Sequence, residues 1–131
     1  MTSYEDQFKT ILVGYYSERS RNYIAALNQV RHESAYFDPA TVECSVMGAA
    51  GEFGAWQIIP KFHPNSKPCD LELSTKYRCD QTNRIQHEIQ NLRAAIAAWN
   101  AGEGTVKNLI KNWPYLWETL LPSVTKQYLK I

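Results

Sequence analysis

Glu33 is the residue of this sequence best placed to do chemistry. It follows Val30 by three positions and Ala26 by seven, so on a helix it shares their inward-leaning face. It also stands where that helix should end, at the negative pole of the helix dipole. Burial and the dipole both disfavour a carboxylate anion, so Glu33 should hold its proton to higher pH than a free glutamate. A carboxylic acid still protonated near neutral pH can protonate a leaving oxygen as a general acid. The same pattern also suits a plain polar residue at a fraying helix end. Acid–base chemistry often pairs two carboxylates in different surroundings, and Glu52, Glu43 or Asp38 could supply a second. For Glu43 and Asp38 a surface ion-pair role is the plainer reading.

The residues around Glu52 carry a different signal. Gly48, Gly51 and Gly54 fall between Cys44 and Pro60, in C-S-V-M-G-A-A-G-E-F-G-A-W-Q-I-I-P. That density of glycine predicts tight turns and close backbone approach to a ligand. Trp56 suits the core and Trp99 a groove rim, where an indole face can carry a sugar ring. Of the three cysteines, Cys69 and Cys79 could close a small loop, while Cys44 sits apart. A zinc site drawn from Cys69, Cys79, His63 and His87 matches no compact ligand spacing, so no metal is expected.

These residues must be positioned by helices. Phe8, Ile11, Leu12 and Tyr15 recur at helical spacing, with Ser3 and Asp6 as a start signal and Gly14 near the end. A second helix is expected from about Arg21 to Glu33, with Pro39 closing the region after it. His63 to Asp80 reads as a surface loop. Ile85, Ile89, Leu92 and Ile96 mark one long helix, with alanines at 94, 95, 97 and 98 permitting close packing, ended by Gly102 and Gly104. Val106, Leu109 and Ile110 indicate a short helix up to Trp113-Pro114, and Thr125 to Ile131 a last one after Pro122. Strand-like alternation is confined to a short irregular or hairpin segment near 51–59. The expected fold is mainly α, a single domain over 1–131 with residues 1–20 as a helical extension.

Four blocks appear in order: E-S-A-Y-F-D-P-A, G-E-F-G-A-W-Q-I-I-P, A-A-W-N-A-G-E-G and L-P-S-V-T-K-Q-Y-L-K-I. From Ile24 to Ile131 this resembles the lysozyme-like domain of soluble lytic transglycosylases, which are related to goose-type lysozymes. The resemblance implies a lysozyme-like fold and makes Glu33 the catalytic acid, with Ser34 supporting the backbone beside it. It places Gly51, Gly54 and Gln57 along the substrate cleft, together with Trp99 and Asn100. Trp99 stands where the family has Tyr. Tyr128 matches a late family tyrosine that reaches the cleft. The stretch from Glu33 to Gln57 is longer than in the commonest version, which leaves Ser45 a weak match to the family's cleft serine. Ala55-Trp56 replaces Leu-Met, and Val124 replaces a late Glu.

The reaction so implied cleaves the β-1,4 bond between N-acetylmuramic acid and N-acetylglucosamine in peptidoglycan, leaving a 1,6-anhydro end. A true lysozyme using Glu52, or a silent glycan-binding domain, are the alternatives. No cofactor is implied. Composition agrees with the class: 14 Lys+Arg against 13 Asp+Glu give a net charge of +1, unlike the strongly basic balance of a dedicated nucleic-acid binder. No apolar run is long enough to span a membrane, and a monomer is expected. The start M-T-S-Y-E-D-Q-F-K-T has no secretory pattern. That suggests a phage endolysin or virion protein reaching the bacterial wall from the host cytoplasm.

Overall fold

The computed structural model describes residues 2–131 and is mainly helical, with seven helices among them. Contacts divide the chain into two compact units, one ending at Cys79 and the other spanning Asp80–Ile131.

In the first unit, α1 (Tyr4–Leu12) opens on Ser3, whose hydroxyl accepts the Asp6 N–H. α2 (Arg21–Glu33) opens on Ser20, whose hydroxyl accepts the Tyr23 N–H. Both are side-chain caps of helix donors that have no partner within the helix. The expected bounds of α2 are met at both ends. Phe8 and Leu12 are fully buried, so α1 belongs to the core of this unit. Phe8 lies 5.5 Å from the Phe37 ring and 5.7 Å from Trp56, edge-on to the latter. Tyr23, Leu27 and Val30 of α2 complete the cluster with Val42, Ile58 and Cys79. Pro39 does not close the region. It starts the short α3 (Pro39–Val42), where its missing N–H costs nothing and Asp38 caps the Thr41 amide at 3.1 Å.

Three further expectations need correction. The supposed loop to Asp80 contains the first part of α4 (Leu71–Ile89). Its inward residues are Ser74, Thr75, Arg78 and Cys79, mostly polar, so no apolar stripe announced the helix. The long helix expected through Ile85 and Ile96 is broken at Gln90, which takes φ +59°. Asn91 then caps α5 (Leu92–Ala101) by accepting the Ala94 N–H. The pairing of Cys69 with Cys79 is also overturned: Cys69 bonds Cys44, and Cys79 is buried and outside the disulfide. Cys79 lies eight residues along α4, about 12 Å from its start at 1.5 Å per residue, beyond disulfide reach of Cys69. The Cys44–Cys69 bond spans a sequence separation of 25. Closing a loop of that length stabilises the folded chain by about 3 kcal/mol in the chain-entropy picture.

In the second unit α5 is the centre. Ala94, Ala95, Ala97 and Ala98 are buried among Ile85, Val106, Trp117 and Leu121. Small side chains on successive turns let α6 (Glu103–Asn112) and α7 (Ser123–Tyr128) lie close against it. Gly102, at φ +95°, makes the corner between α5 and α6. Arg84 of α4 grips Glu103 of α6 through two contacts of 2.7 and 3.0 Å, and Lys107 bonds both Glu103 and Glu88. The expected hairpin near 51–59 is reduced to one antiparallel bridge, Phe53 with Ile58.

Candidate active site

Glu33 is the last residue of α2 and is half-buried, so its position at the helix end is as expected. Ser34, the next residue, has no solvent exposure. Its hydroxyl donates to the Val30 carbonyl at 2.6 Å and accepts the Phe37 N–H at 2.8 Å. Between these bonds the chain makes a left-handed turn through Ala35, Tyr36 and Phe37, with φ of 51°, 58° and 61°. Three successive side-chain-bearing residues in that region are costly. Such strain persists only where the surroundings enforce it, and it clusters at functional sites. The Tyr36 N–H to Arg31 carbonyl bond (2.7 Å) and the Asp38 N–H to Ser34 carbonyl bond (3.0 Å) complete the enforcement.

Gly51, Glu52, Gly54 and Gln57 come together in one turn system. The Gly48 amide donates to the Glu52 carbonyl at 2.9 Å, and the Gly51 amide to the Gly48 carbonyl at 3.0 Å. The Glu52 carboxylate accepts the Ala50 N–H at 2.9 Å and lies so close over Gly48 that a Cβ there would sit 1.8 Å from its Oε1. Gly54, at φ +79°, faces the Pro68 carbonyl, where a Cβ would approach to the same distance, 1.8 Å. Gln57 also adopts a positive φ and turns its side-chain amide onto the Gly54 carbonyl at 2.8 Å. Glu52 and Gln57 thus both build their own turn.

Trp56 is core, as its apolar setting suggested. Its indole N–H donates to Thr75 at 3.0 Å, and the buried Arg78 guanidinium lies 4.4 Å above its ring. Arg78 gave no signal in the sequence, because it falls in the stretch that reads as a surface loop, where a cation is solvated. His63 is held by Tyr77 through its Nδ1 at 2.7 Å. Burial, and then the charge of Arg78, push its pKa below the usual imidazole value. Glu43 bonds the Tyr4 hydroxyl and Asp38 caps α3, so both have local structural partners. Ser45 is exposed, and its amide donates to the Ala40 carbonyl at 2.8 Å.

The second unit holds the remaining expected residues. Trp99 is half-buried and donates its indole N–H to Thr82 at 3.0 Å. Asn100 is exposed at the end of α5, and its side-chain oxygen accepts the Thr125 hydroxyl at 2.7 Å. Tyr128 is buried on the same inward face of α7 as Thr125. Thr125 was missed, although its spacing of three from Tyr128 was the available signal.

Among the described residues no three His, Cys, Asp or Glu side chains gather as a metal ion would require. Cys69 is committed to the disulfide, which removes it from the zinc set. None of the described helices is long and apolar enough to cross a membrane. A groove of about 750 Å³ between the start of α1 and the turn after α2 is lined by Tyr4, Tyr36, Phe37, Pro39 and Glu43 among others; of the residues singled out in the sequence it holds Glu43, a second-carboxylate candidate, and not Glu33. The chain matches no family model, no curated protein and no solved structure.

Proposed function

We propose that this chain is a peptidoglycan-cleaving muramidase with Glu33 as its acid, working as a lytic transglycosylase in a lysozyme-like fold. The observation that carries the reading is the end of α2. A half-buried glutamate is followed by a buried serine whose two hydrogen bonds hold a strained left-handed turn. The family-like blocks in the sequence supply the reaction class.

In the proposed reaction Glu33 protonates the glycosidic oxygen as its bond to C1 of the muramic sugar breaks. The substrate's own N-acetyl group supports C1. The Glu33 carboxylate then takes the proton of the 6-hydroxyl, whose oxygen closes on C1. Glu33 ends as it began, and no water is consumed. The Gly51–Gln57 turn lies along the glycan in this reading. The site works on the bacterial wall, and a disulfide suits an oxidising compartment such as the periplasm.

One observation weighs against a hydrolase with Glu52 as second carboxylate. Glu52 is turned onto the Ala50 amide and over Gly48, in the manner of a residue that shapes its turn. The test is mass spectrometry of digested peptidoglycan. The expected fragments end in 1,6-anhydro sugars, lighter by one water than hydrolysed ones. Glu33→Gln should lower the rate by about 10²–10⁴, and Glu52→Gln should leave substantial activity. Reducing-end fragments together with a folded, inactive Glu52→Gln protein point to the hydrolase. Glycan binding without cleavage by the wild-type protein refutes the enzyme reading.

A further inference from the structure

The proposed glycan-facing turn lies wholly inside the loop closed by Cys44 and Cys69. From Glu43 to Phe53 no residue is buried, and Val46 and Met47 are 50% and 62% exposed. This stretch therefore has no apolar anchor of its own. Burial resumes only at Gly54, Ala55, Trp56 and Ile58. Its start is tied to the unit by the Cys44 sulfur, besides the Glu43 bond to Tyr4 and the backbone bonds of residues 43–45 back onto α3. Cys44 itself takes a φ of +62°, a conformation that a side chain adopts only under constraint. At the other end of the bond, Cys69 directly follows Pro68, whose carbonyl lies against Gly54. One covalent bond thus holds both the entry to the turn and the backbone that Gly54 rests on. Cys69 is exposed, so a thiol reagent can reach it, while Cys79 is buried in the core.

We propose that the Cys44–Cys69 pair is a redox switch on the Gly48–Gln57 turn: oxidised, the turn is fixed and the site competent; reduced, the turn loosens and activity falls, while the helical core stays folded. The helical core has independent support, because Phe8 and Leu12 of α1 and Tyr23, Leu27 and Val30 of α2 belong to one buried cluster outside the loop that the sulfurs close. Closing the switch needs a disulfide oxidant, a protein disulfide or oxidised glutathione. The exposed Cys69 thiolate attacks one oxidant sulfur and releases the other as a thiolate. Cys44 then displaces the bound half. Two thiols become one disulfide, the oxidant becomes two thiols, and two electrons pass to it. A chain made in a reducing compartment would be held back until it reached an oxidising one.

The activity arm rests on the muramidase reading, whereas the conformational arm does not. Wild-type protein is compared oxidised and after reduction and alkylation, alongside the Cys44→Ser/Cys69→Ser variant. Amide exchange is followed by mass spectrometry over 45–57 and over α2, and clearing of peptidoglycan is followed in parallel. The expected result is exchange at least about tenfold faster over 45–57 with α2 still protected, and clearing reduced about tenfold or more. Reoxidation of wild-type protein that was reduced but left unalkylated should restore both, whereas the variant should not respond. Unchanged exchange over 45–57 overturns the proposal, and so does loss of protection throughout, which makes the bond a general staple. If loosening is seen and clearing is unaffected, the switch is refuted as a control of activity. If even the oxidised protein clears nothing, the muramidase reading fails, and the exchange arm alone decides whether the turn is switched.

Discussion

Replacing Ser34 by Ala tests the link between the strained turn and the end of α2. The hydroxyl makes two bonds, one to the Val30 carbonyl and one from the Phe37 N–H. The Val30 carbonyl keeps the Ser34 amide at 2.9 Å, so the loss there is small. The Phe37 amide belongs to a residue only 7% exposed, and it loses its acceptor. Orphaning a buried donor costs about 1–3 kcal/mol, and about 2 is the central expectation. The turn it holds already stores about 3–6 kcal/mol, at 1–2 per left-handed residue. Unfolding entropy of about 2.1 cal/mol/K per residue gives roughly 0.28 kcal/mol/K for a chain of 131 residues. The melting temperature should therefore fall by about 7 °C. Calorimetry on wild type and Ser34→Ala reads this directly. Tyr36→Gly in the same background should recover about 1 kcal/mol, since glycine accepts that backbone freely and the ring it removes is 76% exposed. A Ser34→Ala protein melting within about 1 °C of wild type would refute the reasoning, and failure of Tyr36→Gly to recover stability would remove strain from it.

The glycines of the turn system offer a paired comparison. Gly54→Ala drives a Cβ to 1.8 Å from the Pro68 carbonyl and adds left-handed strain, so it should cost about 3 kcal/mol; Gly51→Ala meets nothing within 4 Å and should cost about 1. Equal denaturation midpoints for the two variants would contradict this geometry. Acid should act through Glu103, whose pKa is lowered to about 2, first by its hydrogen bond to Arg84. A depressed carboxyl stabilises the fold above its unfolded value of 4.5, and that stabilisation is lost as pH falls from there towards 2. With about a third of the side chain exposed to solvent, screening limits the contribution to about 1 kcal/mol. Glu103→Gln should flatten urea stability across that window, and an unchanged slope there would exclude Glu103 as its source.

Legibility in the sequence followed physical cause. α2 could be read because its cap, its apolar face and its terminal glutamate all agree. The Gly102 corner was equally plain. α4 was obscured because Ser74 and Thr75, which hydrogen-bond, and Arg78, which lies over the Trp56 ring, fill its inward face where an apolar stripe would ordinarily stand. The break at Gln90 was hidden because Ile85, Ile89, Leu92 and Ile96 keep helical spacing across it, and only the capping power of Asn91 signals the stop. The disulfide could not be read at all, since pairing depends on where α4 begins. Glu33 ends α2 and the glycines make tight turns, as their positions in the sequence suggested. The directions of Glu52, Gln57 and Asn100 required coordinates, since each finds its partner within its own unit.

Those directions narrow the chemistry the site can support. A two-carboxylate hydrolase needs a base that faces an incoming water across the sugar ring. Glu52 faces its own backbone instead, and any change that frees it also removes the Ala50 contact that closes the turn. Gln57 and Asn100 are likewise drawn into fixing Gly54 and Thr125. Polar groups spent on shape contribute surface and rigidity, and the proposed reaction asks proton transfer of Glu33 alone. An enzyme with one acid needs its nucleophile from elsewhere, and the 6-hydroxyl already held in the substrate meets that need without a second protein base. Rate then depends on how firmly the turn holds the sugar in the geometry for ring closure. That requirement makes the order of residues 45–57, and so the Cys44–Cys69 bond, the expected point of control.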